Sequence, residues 1–182
     1  MKRILFALPL LAALLAYPAP APAGTPQKDA QFVGKPSPAF SVKSLRGREI
    51  SSVGLAREAR AVVLNFWGLR CAACIEEMKP LNELYGKYRD RVVMIGVNVD
   101  GVDAASLADL MKDSGISVDY DVVPDPDFKI ADTFKLKAAP LTFVIDGGGI
   151  VRYQHEDYRP GDEKGIEEAI KGILESVSKV GR

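Results

Sequence analysis

Hydrophobic positions along this chain fall into blocks with two periods, one near two residues and one near three and a half. Residues 61–67 and 91–99 are almost unbroken apolar runs rich in β-branched side chains, as strands covered on both faces require. Residues 141–145 form a third such run, and Gly147, Gly148 and Gly149 turn it back into residues 150–153. Residues 40–45 alternate, turn at Arg46, Gly47 and Arg48, and resume at Glu49 and Ile50, which predicts a hairpin at one edge. Met78, Leu81, Leu84, Tyr85 and Tyr88 recur at three- and four-residue spacing, predicting an amphipathic helix over 75–88. Asp103 is placed to cap a helix running through Ser114, with Gly115 as its stop. Residues 118–123 predict a short strand and 126–134 a short helix. Ile166, Ile170, Ile173, Leu174 and Val177 mark one face of a last helix over 163–179. Strand, helix, strand, helix, then a hairpin and a helix make an α/β sandwich.

The first 23 residues follow another pattern. Lys2 and Arg3 precede an uncharged apolar run over 4–17, and Ala21, Pro22 and Ala23 form a small-x-small cleavage site. The run is shorter than the ~20 residues a membrane-spanning helix needs. It is expected to be a cleaved export signal, with an uncleaved anchor as the alternative. Residues 24–31 are then a loose polar segment, and 32–182 a single domain. Loss of the leader leaves a net charge near −2, with no broad basic footprint for nucleic acid. With 47% hydrophobic and 26% charged residues, the composition is that of a globular domain. The mature protein is expected to be periplasmic, soluble and monomeric.

Export gives the two cysteines, Cys71 and Cys74, their context, because disulfides persist outside the cytosol. A bridge between them closes only four residues. The chain-entropy gain of so small a loop is about 2 kcal/mol, so a structural staple is the weaker reading. A buried strand ending in Trp67 delivers Cys71 to the start of a helix. Unpaired N–H groups and the helix dipole there favour thiolate over thiol, and the thiolate is the nucleophile of disulfide exchange. Cys74 lies one turn on along the same face, placed to resolve a mixed disulfide. Cys71 is therefore expected to attack and Cys74 to resolve. Arg70 would further favour a negative sulfur if its side chain turns that way. Pro80 is expected to kink the helix.

Several stretches now carry a family resemblance: residues 34–40 (Gly-Lys-Pro-Ser-Pro-Ala-Phe), residues 65–74 through the cysteine pair, Glu77 with Met78, Gly96 to Asn98, and residues 139–146. In that order they resemble the TlpA/ResA group of extracytoplasmic thioredoxin-like proteins, kin to the reductases of cytochrome c maturation. The resemblance implies a thioredoxin fold, a central mixed sheet flanked by helices. It also implies an insert over about 101–125, after the second central strand, so that the hairpin read from the pattern of residues 40–50 is an amino-terminal extension. It assigns Pro140 to the cis-proline against the active-site disulfide, and Ala139 to backbone contact with an extended substrate. It places Glu77 near the cysteines, where it would help to set their pKa values and handle protons. Trp67 and Arg70 join Ala139 as substrate-binding candidates. Asn65 stands where cytosolic thioredoxins keep a buried aspartate, which strengthens the case for Glu77. The substrates implied are protein thiols and disulfides, apocytochrome c among them, with a membrane electron donor and no cofactor. Arg70, Ala72 and Ala73 depart from the family's usual tryptophan and proline, which leaves the reduction potential open.

A copper-carrying protein of the same fold is one competing reading. Those resembling the Sco group use CxxxC and a distant histidine, whereas here the spacing is CxxC. The only histidine, His155, lies beyond the last strand pattern, and three ligands fall short of a structural zinc site, so no metal is expected. Ile75 after Cys74 excludes haem attachment on this motif. A peroxidase of peroxiredoxin type would want threonine at position 68, which is glycine. An oxidant or isomerase would share the same cysteines, so the direction of electron flow is open.

Overall fold

A computed structural model describes residues 30–180. The expected leader and most of the loose segment lie outside those residues, as does the side chain of Val177. The described residues begin with a hairpin, β1 (Ser41–Lys43) and β2 (Glu49–Ser51), and a short helix, α1 (Ser52–Glu58). β3 (Ala61–Trp67) leads into α2 (Ala72–Tyr88), and β4 (Val92–Asn98) into α3 (Ala104–Asp113). β5 (Asp121–Pro124), α4 (Lys129–Thr133), β6 (Leu141–Asp146), β7 (Val151–Glu156) and α5 (Glu163–Val180) complete the order.

The main sheet runs β5-β4-β3-β6-β7. β3, β4 and β5 are mutually parallel, while β6 is antiparallel to both β3 and β7. All seven residues of β3 are buried, which explains its continuous apolar run. Alternate residues serve two cores. Val62, Leu64, Phe66 and Phe143 face α1, α4 and the amino-terminal segment, where Phe32, Phe40 and Phe134 join them in a cluster of tilted and edge-on rings. Ala61, Val63, Trp67 and Val144 face α2, α3 and α5, which contribute Leu81, Leu107, Ile166 and Ile170. Each valine, leucine, isoleucine or phenylalanine among them, fully buried, contributes about 1.5–3 kcal/mol. α2 and α5 are also joined by a 2.8 Å hydrogen bond from the Tyr88 hydroxyl to Glu167.

The thioredoxin architecture, the amino-terminal hairpin and the insert after β4 are all present. The insert supplies α3 and the edge strand β5. Gly115 ends α3 as expected, at φ 67°, with the Ile116 N–H donating to Met111 and the Gly115 N–H to Lys112. Other boundaries differ. α4 spans five residues, not nine, because the turn at 125–128 consumes its expected first half. α1 was not expected: it buries only Leu55 among its described side chains and starts from the Ser51 hydroxyl, which accepts from the Gly54 N–H. His155 is corrected too, since β7 extends through Glu156 and includes it.

Candidate active site

The topology brings four chain segments to one edge of the sheet. The parallel strands β3, β4 and β5 end there, and the antiparallel β6 begins there. The carboxyl edge of parallel strands is where open α/β sheets form crevices. After β3 the chain turns at Gly68 and enters α2 with Cys71 as its N-cap residue. Cys71 Sγ accepts from the Cys74 N–H at 3.2 Å, so the sulfur sits among the unpaired donors of the first turn. The two cysteines form a disulfide with S–S 2.08 Å. Cys71 is partly exposed and Cys74 only 1% exposed, so the first cysteine is the more accessible of the two.

Opposite the disulfide, the Ala139–Pro140 peptide bond is cis, and the Ala139 carbonyl oxygen lies 3.5 Å from Cys71 Sγ. The Pro140 carbonyl accepts from the Asp157 N–H at 2.9 Å, which ties this loop to the end of β7. The other flank is held by Asp100. Its carboxylate accepts from the Leu69 N–H at 2.8 Å and from Asn98 Nδ2 at 2.6 Å. A Cβ at Gly68 would stand 3.3 Å from Asp100 Oδ1, so this tight turn has little room for the threonine a peroxidase would need. Asp100 was missed in the sequence because its partner is 31 residues away.

Beneath the disulfide lies a buried polar cluster. Glu77, one turn after Cys74 on α2, is completely buried. Asn65 Nδ2 donates to Glu77 Oε2 and Thr142 Oγ1 to Glu77 Oε1, both at 2.9 Å, and Asn65 Nδ2 also reaches Thr142 Oγ1. Burial raises the Glu77 carboxyl and outweighs the two hydrogen bonds, which lower it; Asp162 adds a smaller raising effect. The group titrates near 7. Thr142 is the second residue the sequence did not disclose. It looked like one more strand residue in an apolar run.

Among the candidates, Arg70 is exposed beside Cys71, and Ala139 is partly buried against it. Trp67 is a correction: it was expected to meet substrate, yet it is fully buried. It packs in the core that includes Cys74 and adjoins Cys71, with its Nε1 3.0 Å from where a Cβ of Gly96 would be, beside the ring of Tyr120. It supports the site from within. His155 pairs with Asp162 at 3.0 Å and stacks on Tyr153. No group of three or more His, Cys, Asp or Glu side chains gathers to hold a metal among the described residues.

A helix-capping CxxC disulfide facing a cis-proline on a mixed five-stranded sheet defines the thioredoxin-like class. A family model described as "AhpC/TSA family" matches residues 33–154, and the chain belongs to that family, among its thiol–disulfide oxidoreductases of the ResA/DsbE type. It is 34% identical over 125 residues to the thiol-disulfide oxidoreductase ResA of Bacillus thuringiensis (strain Al Hakam), covering 68% of this chain and 69% of the relative. It is 35% identical over 127 residues to the thiol:disulfide interchange protein DsbE of Xylella fastidiosa (strain Temecula1), covering 69% and 61%. The fold also matches the exposed lipoprotein thioredoxin Etrx1 of Streptococcus pneumoniae strain TIGR4, at TM-score 0.63 and 20% identity, covering 74% of this chain and 98% of that one.

Proposed function

We propose that this oxidoreductase works outside the cytosol as a reductant of protein disulfides, with Cys71 as nucleophile and Cys74 as resolving thiol. The observation that carries the reading is the contrast between the two sulfurs. Cys71 is reachable, caps a helix and faces the Ala139 carbonyl, whereas Cys74 is buried behind it. In the reduced protein, the Cys71 thiolate attacks one sulfur of a substrate disulfide and expels the other as a thiolate, which takes a proton. The Cys74 thiolate then attacks Cys71 Sγ, releasing the second substrate sulfur and leaving the Cys71–Cys74 disulfide. Two electrons have moved to substrate, and a dithiol donor must return them. An exported reductant needs a membrane partner for that, because its surroundings are oxidising. Ala139 offers its backbone to the substrate strand. Glu77, titrating near 7, is suited as a carboxylate to take up the proton that the buried thiol loses on ionising, and to give it back when the thiol is regenerated.

The leader-like residues 1–23 support export to the periplasm with cleavage after Ala23, and among the described residues no helix is long and apolar enough to cross a membrane. Apocytochrome c thiols are one substrate class that fits this compartment, and we take the working unit to be a monomer. A Cys74→Ala variant is expected to trap substrates as mixed disulfides through Cys71; failure to recover any from a periplasmic extract would count against the reading. Equilibration of the Cys71–Cys74 pair with glutathione decides direction. A potential near −270 mV supports a reductant, and one near −120 mV an oxidant.

A further inference from the structure

We infer that Phe128 is a substrate-contact residue, an aromatic rest for an apolar side chain two or four residues from the substrate cysteine; this rests on the function proposed above. The first observation is backbone geometry. Phe128 has φ 56° and ψ 19°, a left-handed conformation that a bulky side chain adopts only at a steric cost. Lys135 shares the left-handed region, but there it closes α4: the Lys135 N–H donates to Asp132 and the Leu136 N–H to Ala131, the usual stop of a helix. Phe128 stands at the start of α4, where extended backbone is the rule, and makes no side-chain cap. Asp125 caps that helix in its place.

The second observation is what the strained backbone does with the ring. Phe128 remains 45% exposed, although the aromatic cluster of the fold has drawn in Phe66, Phe134 and Phe143 completely. One edge of the ring is propped on Gly101, where a Cβ would come within 2.9 Å of Phe128 Cζ. Gly101 follows Asp100, the residue that holds the Leu69 N–H two positions before Cys71. The ring is thus fixed to the frame of the active-site turn, with its other side open.

The third observation is topological. Phe128 follows β5, Gly101 follows β4, Cys71 follows β3 and Ala139 precedes β6, all at one edge of the sheet. Neighbouring strands stand ~4.8 Å apart, so the end of β5 is ~10 Å from the end of β3. An extended polypeptide advances ~3.3 Å per residue with its side chains alternating in direction, so those facing the same way as the cysteine are two and four residues off, ~7 and ~13 Å away, on either side of that distance. A chain lying across the strand ends with its cysteine turned to Cys71 therefore turns its second or fourth residue on one side towards the end of β5, where Phe128 stands. Leu69, partly buried and adjoining the core, continues the apolar floor beside Cys71.

The test uses the reduced full chain and disulfide-linked homodimers of a synthetic ten-residue peptide with one central cysteine. Leucine or serine is placed two or four residues before or after that cysteine, and oxidised glutathione serves as a small substrate. The wild type is expected to reduce one leucine peptide roughly fivefold faster than its serine counterpart, the factor that partial burial of one leucine side chain carries. Phe128→Gly, which suits the backbone, is expected to lose that preference while its rate with glutathione is unchanged. Phe128→Trp is expected to retain the preference. No preference in the wild type, a preference that persists in Phe128→Gly, or an equal loss with glutathione would each overturn the inference. A wild type that reduces neither the peptides nor glutathione would instead defeat the functional reading itself.

Discussion

Glu77 shows how one residue can be set by a contest of opposing effects. Two side-chain donors, Asn65 and Thr142, point at its oxygens and favour the charged form, yet complete burial prevails and holds the carboxyl near 7. The native state thus binds this proton more tightly than the unfolded chain, where the carboxyl titrates near 4.5. The resulting stability is fully present below pH ~4.5 and is lost as pH rises through ~7. At 1.36 kcal/mol per pH unit, the span is on the order of 3 kcal/mol. Glu77→Gln retains a group able to bond Asn65 and Thr142 without a charge. Urea unfolding between pH 4.5 and 8 is therefore expected to show a fall in wild-type stability that the Gln variant lacks. Parallel curves for the two proteins would refute this account. Glu77 was legible as a candidate through the family resemblance, which places an acidic residue near the cysteines. Its environment was not, since Thr142 lies 65 residues away and nothing local marks it as a partner.

Elements differ in how much of their cause is local. β3 and β6 are readable because a strand covered on both faces must be apolar at nearly every position. α2 is readable because a single face is buried along 17 residues. α4 has five residues and is far too short to form alone. It depends on Asp125, 4% exposed, whose carboxylate accepts from the Ile130 and Ala131 N–H groups at 3.2 and 2.8 Å. Asp125→Ala strips both donors of their partner in a buried setting, with an expected cost of about 1–3 kcal/mol. Thermal unfolding monitored by circular dichroism measures this, and an unchanged midpoint would contradict the cap. α1 escaped notice for the opposite reason: its sequence contains Gly54 and little repeated apolar pattern, and its position comes from docking Leu55 beside Ile50 and Val62.

At the scale of the molecule, both edges of the sheet are engaged by other parts of the chain. The Leu45 N–H donates to Val122 on β5, and Arg46 donates to the Val118 and Asp119 carbonyls. On the far side the Gly34 N–H donates to Val151, and the Val151 N–H to Lys35. Such covered edges offer few open ladder groups to another sheet. Stability is thus distributed over two cores and two edge covers, and the four-residue disulfide loop carries little of it. Removing the disulfide by Cys71→Ser with Cys74→Ser is expected to cost about 2 kcal/mol or less, a few degrees in melting temperature. A collapse of the fold in that variant would show the bridge to be structural. Trp67 adds a practical consequence, as the sole tryptophan, fully buried in the same core as both cysteines. A disulfide quenches a nearby indole, so the chain carries its own optical gauge. Emission should be blue-shifted, brighten on reduction and dim again on oxidation. Each half of the catalytic cycle would then be timed without any added label.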